Sequence, residues 1–311
     1  MKLSVLIPSY NEEGNIVELN KKLIAALKDI DYELIYIDDG SSDKTLEKMR
    51  LVSRNNKKNV RYISFSRNFG KEAAIYAGLK EAKGEYICII DADLQQNPKY
   101  VVEMYEKLES NKDIDQVVMV MDNRNKENVF NRLAKKMFYK IMNLLSDVKF
   151  VDGASDFRMF NKRVKESILS ISEYNRFSKG IFSWVGFNTV YMKYTVEERF
   201  SGVSKFNFKA QLKYAMTAIT NYSVKPLNMS IIIGAIIGII SCIYIVITIL
   251  QVLLYGKDVP GYASLLIVCL FMGSLQLIFI GVLGSYLGKT YMETKSRPIY
   301  LIKETEKEDD K

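Results

Sequence analysis

The sequence predicts an α/β protein with a mostly parallel sheet, followed by a pair of membrane-spanning helices. Short β-rich segments alternate with helical patterns over roughly the first 120 residues, an order typical of a parallel sheet with helices on both faces. Two long segments without a charged residue follow in the last third of the chain. The 311 residues suffice for one full α/β domain and a membrane segment.

The strands and helices are assigned in chain order from the spacing of apolar residues. Five strands are expected at LSVLI, YELIYIDD, VRYISFS, YICII and QVVMVM. Helices are expected at 13–28, at 44–54 and at KEAAIYAGLKEA, and further on at 128–145, which is amphipathic, and at 161–170. VDGASDFRMF is predicted to be a polar loop entering an apolar segment, and NTVYMKYTVEERF an edge strand.

The two uncharged segments run from Asn228 to Tyr255 and from Val259 to Gly288. A membrane helix needs about 20 apolar residues to cross the hydrocarbon core, so we expect spans at 228–255 and 261–288. The alternative is a pair of buried core helices, although soluble helices rarely run so long without charge.

The flanks of these spans define the remaining boundaries. Residues 205–227 mix aromatic residues with lysines and predict a helix in the membrane interface. Residues 289–311 form a charged tail that we expect to be frayed from Glu304. Lysines and arginines flank both spans, so the positive-inside rule places both termini and a catalytic domain at 1–204 in the cytoplasm. MKLSVLIPSYNEE has no evident signal peptide.

Composition excludes several classes of function. The chain has no histidine, which excludes a histidine base, a Ser-His or Cys-His nucleophile and a histidine-ligated zinc. The three cysteines cannot form a disulfide framework. The net charge of +8 is scattered or lies beside the spans, which favours anionic lipid over nucleic acid as the partner. Neither G-x-G-x-x-G after the first strand nor a P-loop motif occurs, so a dehydrogenase and a P-loop enzyme are set aside.

Polar residues follow each of the first four predicted strands. The motifs are 9–12 (SYNE), 38–41 (DDGS), 67–70 (RNFG) and 91–93 (DAD). Ligands of open α/β sheets bind beyond the carboxyl ends of the strands, so we expect these motifs to form one site. Asp91 and Asp93 point to the same side of an extended segment. Two carboxylates suit Mg²⁺ or Mn²⁺, and a substrate diphosphate would complete the coordination shell.

The chain resembles glycosyltransferase family 2, whose catalytic domain has the Rossmann-like GT-A fold. The resemblance rests on PSYNEE, IDDGSSDKT, RNFGKEAAIYAGL and DADLQQNP in this order. DFRMF, KGIFSWVGF, RFSGVSKF and the C-terminal pair of apolar segments are similar to its polyprenyl-phosphate sugar transferases. That subgroup includes dolichol-phosphate mannose synthase and GtrB-type bactoprenol glucosyltransferases.

The resemblance implies an inverting transferase that moves a hexose from a nucleotide sugar to undecaprenyl phosphate at the cytoplasmic membrane face, for decoration of cell-envelope glycans. Glucose from UDP-glucose is expected; N-acetylglucosamine, galactose and mannose stay open. It also implies a divalent metal, Mg²⁺ or Mn²⁺, and a homo-oligomer, with a tetramer suggested by analogy. A processive polysaccharide synthase is less favoured because its Q-x-x-R-W segment has no match around the single tryptophan. A non-enzymatic membrane scaffold is the third hypothesis.

By position, the resemblance implies that Asp156 is catalytic together with Asp93, and that Asp91 and Asp93 hold the metal. The implied substrate-binding residues are Pro8, Tyr10, Glu12, Ile37, Asp39, Asp91, Ala92, Asp93, Gln95, Lys179, Arg199 and Lys205.

Within that set, Ile37 and Asp39 would contact base and ribose, and Arg199 and Lys205 would neutralise phosphates. One departure is that relatives often carry an arginine where this chain has Asp122, so Arg124 either substitutes or the contact is missing. Because a lipid phosphate is already mostly ionised at neutral pH, we hypothesise that Asp156 orients substrate or binds metal rather than acting as a strong base.

Overall fold

A mixed eight-stranded sheet forms the centre of the protein in the computed structural model. The structure describes residues 1–122, 153–197, 219–255 and 261–306, with isolated positions between 140 and 151. The strands are β1 (Leu3–Ser9), β2 (Tyr32–Asp38), β3 (Val60–Phe65), β4 (Tyr86–Ile89), β5 (Gln116–Met121), β6 (Ala154–Asn161), β7 (Thr189–Tyr194) and β8 (Ile302–Thr305). Their order across the sheet is β7-β5-β6-β4-β1-β2-β3-β8.

Helices cover both faces of this sheet, and two long helices follow β7 in the chain. They are α1 (Ile16–Ala26), α2 (Thr45–Asn55), α3 (Lys71–Glu81), α4 (Lys99–Ser110), α5 (Lys162–Ser170), α6 (Ser178–Trp184), α7 (Lys225–Tyr255) and α8 (Tyr262–Thr294). Alternate strand residues enter two separate apolar clusters, as the two-residue period of a strand requires. The first cluster packs under α1, α2 and α4, and the second under α3, α5 and α6.

The predicted α/β class and the five predicted strands of the first half are confirmed. β1 pairs in parallel with β2 and β4, and β2 with β3. β7 is the edge strand that the alternation in NTVYMKYTVEERF predicted. The carboxyl ends of β1 to β4 therefore lie at one edge, where the four polar motifs follow them.

The prediction of a polar loop at VDGASDFRMF is wrong for most of its length. Residues 154–161 form β6, which lies between β4 and β5 and is antiparallel to both. Phe157 and Met159 face the first cluster, and Phe160 faces the second. The polar side chains Asp156 and Arg158, which share the face of Phe160, conceal this pattern in the sequence. Through β6, Asp156 enters the sheet beside the end of β4.

The prediction of a tail frayed from Glu304 is also wrong for residues 304 and 305. They belong to β8, which runs from 302 to 305 antiparallel to β3 at the sheet edge. The Arg50 guanidinium donates Nε and Nη2 to the two carboxylate oxygens of Glu304, at 2.8 and 2.6 Å. Tyr300 stacks on Phe65, with ring centroids 4.9 Å apart. The chain that follows the two long helices thus returns to the α/β domain.

The helices α7 and α8 are long and apolar enough to cross a membrane, over Lys225–Gln251 and Val268–Thr294. Their most apolar windows are not buried inside the protein, and Leu253 and Leu277 are 75% and 70% exposed. The alternative of buried core helices is therefore excluded. Most of the amphipathic helix expected at 128–145 and most of the interfacial helix expected at 205–227 lie outside the described residues.

Candidate active site

The loops after β1, β2 and β3 are joined by hydrogen bonds at the carboxyl edge of the sheet. After β1, Asn11 takes a left-handed φ of 55°, and its N–H donates to Ser41 Oγ at 2.9 Å. The Glu12 N–H donates to Thr45 Oγ1 at 2.7 Å. Tyr10, between them and the strand, is 37% exposed. The first two motifs thus form one surface, with an accessible aromatic ring at its edge.

Asp39 fixes the loop after β3. Its carboxylate accepts hydrogen bonds from the N–H groups of Phe69, at 2.6 Å, and Gly70, at 2.9 Å. Gly40 has a φ of +66°, and a Cβ there would collide with the Arg67 backbone. Burial raises the pKa of Asp39 to about 6, against the lowering effect of the two N–H donors. Asp39 therefore changes charge close to neutral pH.

The loop after β4 folds back on its first aspartate. The Asp91 N–H donates to Gln96 Oε1 at 2.9 Å, and Gln96 Nε2 donates to Asp91 Oδ2 at 3.0 Å. The reversal requires a left-handed φ of 61° at Leu94, which costs a non-glycine residue about 1 kcal/mol or more. Asp93 Oδ1 accepts the N–H of Gln95 at 3.1 Å. A strained turn thus holds both carboxylates beyond the end of the strand.

Lys71 joins this loop to β6. Its ammonium Nζ lies 2.5 Å from Asp91 Oδ1 and 3.0 Å from Asp156 Oδ2. Burial alone would lower the pKa of Lys71, but the charges of Asp156 and Asp91 outweigh it and raise the pKa. The lysine is therefore a permanent cation between Asp91 and Asp156, which the sequence predicted as site residues in two separate motifs.

Asp156 stays ionised in this environment. Burial would raise the pKa of the Asp156 carboxyl. The charges of Lys71 and Lys179, with that of Arg158, outweigh burial and hold this pKa well below its usual range. A carboxylate with such a low pKa is a weak proton acceptor. The geometry therefore fits a role for Asp156 in charge and orientation.

Lys179 and Arg158 also line a cavity of about 300 Å³ between α6 and strands β5, β6 and β7. The guanidinium of Arg158 lies 4.1 Å above the Phe182 ring, and its Nη2 donates to Ser155 O at 2.8 Å. Arg158 is 4% exposed. Two cations thus stand on the Asp156 side of the sheet.

Four other residues singled out in the sequence have mainly structural surroundings. Pro8 pairs with Ile37 across β1 and β2, and Ile37 is fully buried beneath α3, so a direct contact of Ile37 with a ligand is not supported. Ala92 is 3% exposed in the first cluster. Asp122 Oδ1 pairs with Lys193 Nζ at 3.1 Å. Arg124, Arg199 and Lys205 lie outside the described residues.

Lys71 and Gln96 also belong to the site and were not predicted, although both lie in segments that carry the family resemblance. Gln96 is 5% exposed and contacts Asp91 through both ends of its amide. A lysine at the start of a helix usually points to solvent, so only the position of β6 shows that Lys71 bridges two aspartates.

The donor set at this edge fits a divalent cation. Asp91 and Asp93 supply carboxylate oxygens, which are preferred by Mg²⁺ and Mn²⁺. The Lys71 ammonium stands beside Asp91 as a positive charge, so a divalent cation would share this carboxylate with the lysine or displace it. Among the residues that the structure describes there is no cluster of three metal-ligating side chains, so substrate or water would have to provide the other ligands.

A mostly parallel sheet with acidic and basic side chains gathered at its carboxyl edge is typical of α/β enzymes that bind a ligand beyond the ends of the strands. Residues 4–169 match the family described as glycosyl transferase family 2. The chain belongs to glycosyltransferase family 2, and it is a glycosyltransferase with a GT-A fold, as the resemblance implied.

Similar proteins match the chain over nearly its whole length. It is 38% identical to the prophage bactoprenol glucosyl transferase homolog of Escherichia coli K12, over 99% of this chain and 100% of that protein. It is 39% identical to the bactoprenol glucosyl transferase of Shigella phage SfX, over 97% and 99%. The Mn²⁺ and UDP-glucose complex of Mycobacterium tuberculosis glucosyl-3-phosphoglycerate synthase has 16% identity and a TM-score of 0.46, over 70% of this chain and 77% of that one. A similarity that weak carries no argument about substrate.

Proposed function

We propose that this enzyme transfers a hexose, with inversion, from a nucleotide sugar to polyprenyl phosphate at the cytoplasmic face of a membrane. UDP-glucose is the donor and undecaprenyl phosphate the acceptor that we favour. The relatives named as bactoprenol glucosyl transferases, together with the two exposed apolar helices, support the proposal. The observation that carries it is the gathering of Asp91, Lys71 and Asp156 at the sheet edge.

The sheet supports the membrane topology. β8 follows both candidate spans, yet it pairs with β3. This pairing supports a topology with an even number of crossings, in which the residues before the first span and after the second lie on the same side of the membrane. We propose a catalytic domain at 1–204, an interfacial helix at 205–227, spans at 228–255 and 261–288, and a cytoplasmic segment at 289–311.

In the proposed reaction, an oxygen of the acceptor phosphate attacks the anomeric carbon of the sugar. The bond from that carbon to the donor diphosphate breaks, and the nucleotide diphosphate leaves with the electron pair. Asp91 and Asp93 would hold a divalent cation, which when bound neutralises the diphosphate charge. The acceptor phosphate is mostly ionised at neutral pH, so no strong base is required.

The chain's own residues bind and orient the two substrates. Asp39 and Tyr10 are the residues that we propose to contact the base: the carboxylate would accept a base N–H, and the exposed ring would stack. Lys71 is close enough to Asp91 to contact a phosphate bound there, and it would stabilise the leaving group as charge develops. Asp156 would orient the sugar or the acceptor. Arg199 and Lys205 remain proposed phosphate ligands, and a homo-oligomer, with a tetramer expected, remains a proposal.

The test offers labelled UDP-glucose, UDP-N-acetylglucosamine, UDP-galactose and GDP-mannose to the purified full-length protein with undecaprenyl phosphate and Mn²⁺. One donor, UDP-glucose, should label the lipid. Replacing Asp91 and Asp93 together by alanine should lower turnover on the order of 100-fold or more. Asp29→Ala is the control, because that side chain is 85% exposed. Lipid labelled by no donor, or unchanged turnover in the double variant, would contradict the proposal.

A further inference from the structure

A short segment, residues 174–178, connects the end of α8 with the first turn of α3. On the α8 side, the Glu293 carboxylate accepts hydrogen bonds from the N–H groups of Tyr174, at 2.9 Å, and Asn175, at 3.0 Å. The Asn221 side chain, which precedes α7, donates to the Asn175 carbonyl at 2.7 Å. The end of α8 and the chain before α7 therefore hold the first half of this segment. These are the two ends of the α7–α8 hairpin that we propose to face the cytoplasm.

On the α3 side, Glu72 holds the other half. The Ser178 N–H donates to Glu72 Oε2 at 2.7 Å, and the Ser178 hydroxyl donates to the same oxygen. Ser178 is 4% exposed, so these groups cannot readily exchange their bonds for water. Between the two ends, the Arg176 guanidinium lies 4.3 Å above the Tyr76 ring of α3.

Close packing leaves the segment little freedom. A Cβ at Gly180 would collide with the Tyr222 ring, so α6 and the chain before α7 touch without a gap. The Tyr222 hydroxyl donates to the Phe177 carbonyl at 3.3 Å. A displacement of the hairpin would thus be passed to residues 174–178 and on to Glu72.

We propose that Glu72 is a positioning residue that acts through its neighbour Lys71. By holding residues 174–178 against α3, it fixes the first turn of that helix, and so the ammonium between Asp91 and Asp156. The seating of α8 on the same segment then sets the geometry of the active site. The inference rests on the proposed function, since it takes Asp91 as a ligand of the donor's metal.

The role of Glu72 is to accept hydrogen bonds, and its charge is dispensable. Burial raises the pKa of Glu72 to about 7, assisted by the negative charge of Asp156 and opposed by the Ser178 donors. Both protonation states keep an oxygen that accepts from Ser178. Glutamine offers the same oxygen on a side chain of the same length. Glutamine should therefore replace Glu72, whereas alanine should not.

The first experiment compares Glu72→Ala and Glu72→Gln in the full-length protein, with Glu81→Ala at the far end of α3 as control. We expect kcat to fall on the order of tenfold in the alanine variant, with the donor KM little changed. The glutamine variant should stay within about twofold of the wild type. A glutamine variant as slow as the alanine variant, or an alanine variant with wild-type kcat, overturns the inference.

The second experiment tests the connection to the hairpin with Glu293→Ala. Its kcat should fall about fivefold, and the variant with both Glu72→Ala and Glu293→Ala should be no slower than Glu72→Ala, because the two residues act through one segment. Effects that multiply would show two independent roles and overturn the coupling.

The third measurement reports on Lys71 without turnover. Electron paramagnetic resonance of free Mn²⁺ gives the affinity of the protein for the metal. This affinity should increase at least about twofold in Glu72→Ala, because a less firmly held Lys71 competes less with Mn²⁺ for Asp91. It should stay unchanged in Glu81→Ala. If Glu72→Ala does not fold, Ser178→Ala and Glu293→Ala test the inference instead. Ser178→Ala removes only the hydroxyl contact with Glu72, and Glu293→Ala removes only the contact of α8 with the segment. An inactive wild type refutes the proposed function; an active wild type with wild-type kcat in both of these variants refutes only the positioning role.

Discussion

The ammonium of Lys71 lies 2.5 Å from Asp91 Oδ1, so an internal cation stands beside the first aspartate of the D-x-D motif. A divalent ion that binds Asp91 must share this carboxylate with the lysine or displace it. Two positive charges about 4 Å apart repel each other by several kcal/mol where water is partly excluded. We therefore expect Lys71 to weaken metal binding before a donor arrives, and the phosphates of the donor to give Lys71 a new partner.

Replacing Lys71 by methionine should separate metal binding from catalysis. Mn²⁺ should bind about tenfold more tightly in the absence of nucleotide, because a competing charge is removed. Sugar transfer should nevertheless fall on the order of 100-fold, because the leaving diphosphate loses a cation. Calorimetry and turnover of the same preparation check both, with Lys80→Met on the same helix as control. Weaker Mn²⁺ binding would show instead that Lys71 holds the carboxylates in place.

Asp156→Asn should lower turnover by the same factor, on the order of tenfold or more, at every pH between about 6 and 9. The low pKa of Asp156 means that the wild-type carboxylate is ionised throughout this range. A pH–rate profile of both enzymes checks the prediction. A deficit that shrinks at high pH would identify Asp156 as a general base after all.

The affinity for UDP-glucose should fall on acidification through the pKa of Asp39, which burial raises to about 6. Below this pH the carboxyl is protonated. It then no longer accepts hydrogen bonds both from the backbone N–H groups of Phe69 and Gly70 and from a base. At pH 5 the ionised fraction is about one tenth, so the apparent Kd should be about tenfold higher than at pH 8. Calorimetry checks this, and Asp39→Asn should bind weakly and without the pH dependence. A wild-type Kd that stays constant would contradict it.

The Arg50–Glu304 pair should contribute about 1 kcal/mol to stability, since it is bidentate but partly exposed. Arg50→Gln and Glu304→Gln should each lower Tm in detergent by about 2 °C, and the double variant by no more than either. The hydrogen bond from Arg50 lowers the pKa of Glu304, so this contribution is present at neutral pH and lost in acid. Additive losses would argue against a direct pair.

The first half of the fold could be predicted because its strands are apolar and its helices keep a regular spacing. β6 escaped prediction because Asp156 and Arg158 occupy one face of a strand whose burial depends on α6. β8 escaped because Lys303 and Glu304 resemble a solvated tail, whereas the β3 edge and Arg50, which stabilise this strand, are distant in sequence.

The candidate site was predictable in composition but not in geometry. Asp91, Asp93 and Asp39 follow strands that the sequence defines, so their common edge could be inferred. Asp156 approaches Asp91 because β6 is inserted antiparallel beside β4. The contacts of Lys71 with these two aspartates depend on the positions of both β4 and β6. Such contacts are determined by long-range pairing, which a local pattern does not contain.

The pairing of β8 with β3 also bears on biogenesis. Residues 302–305 are synthesised after both apolar helices, so the β3 edge stays open until the end of synthesis. An open edge is prone to wrong pairing. In the proposed topology, the last strand closes this edge only after the chain has crossed the membrane twice. Correct insertion would then be a precondition for completing the sheet, and a chain stalled during insertion would expose an unfinished sheet edge to aggregation.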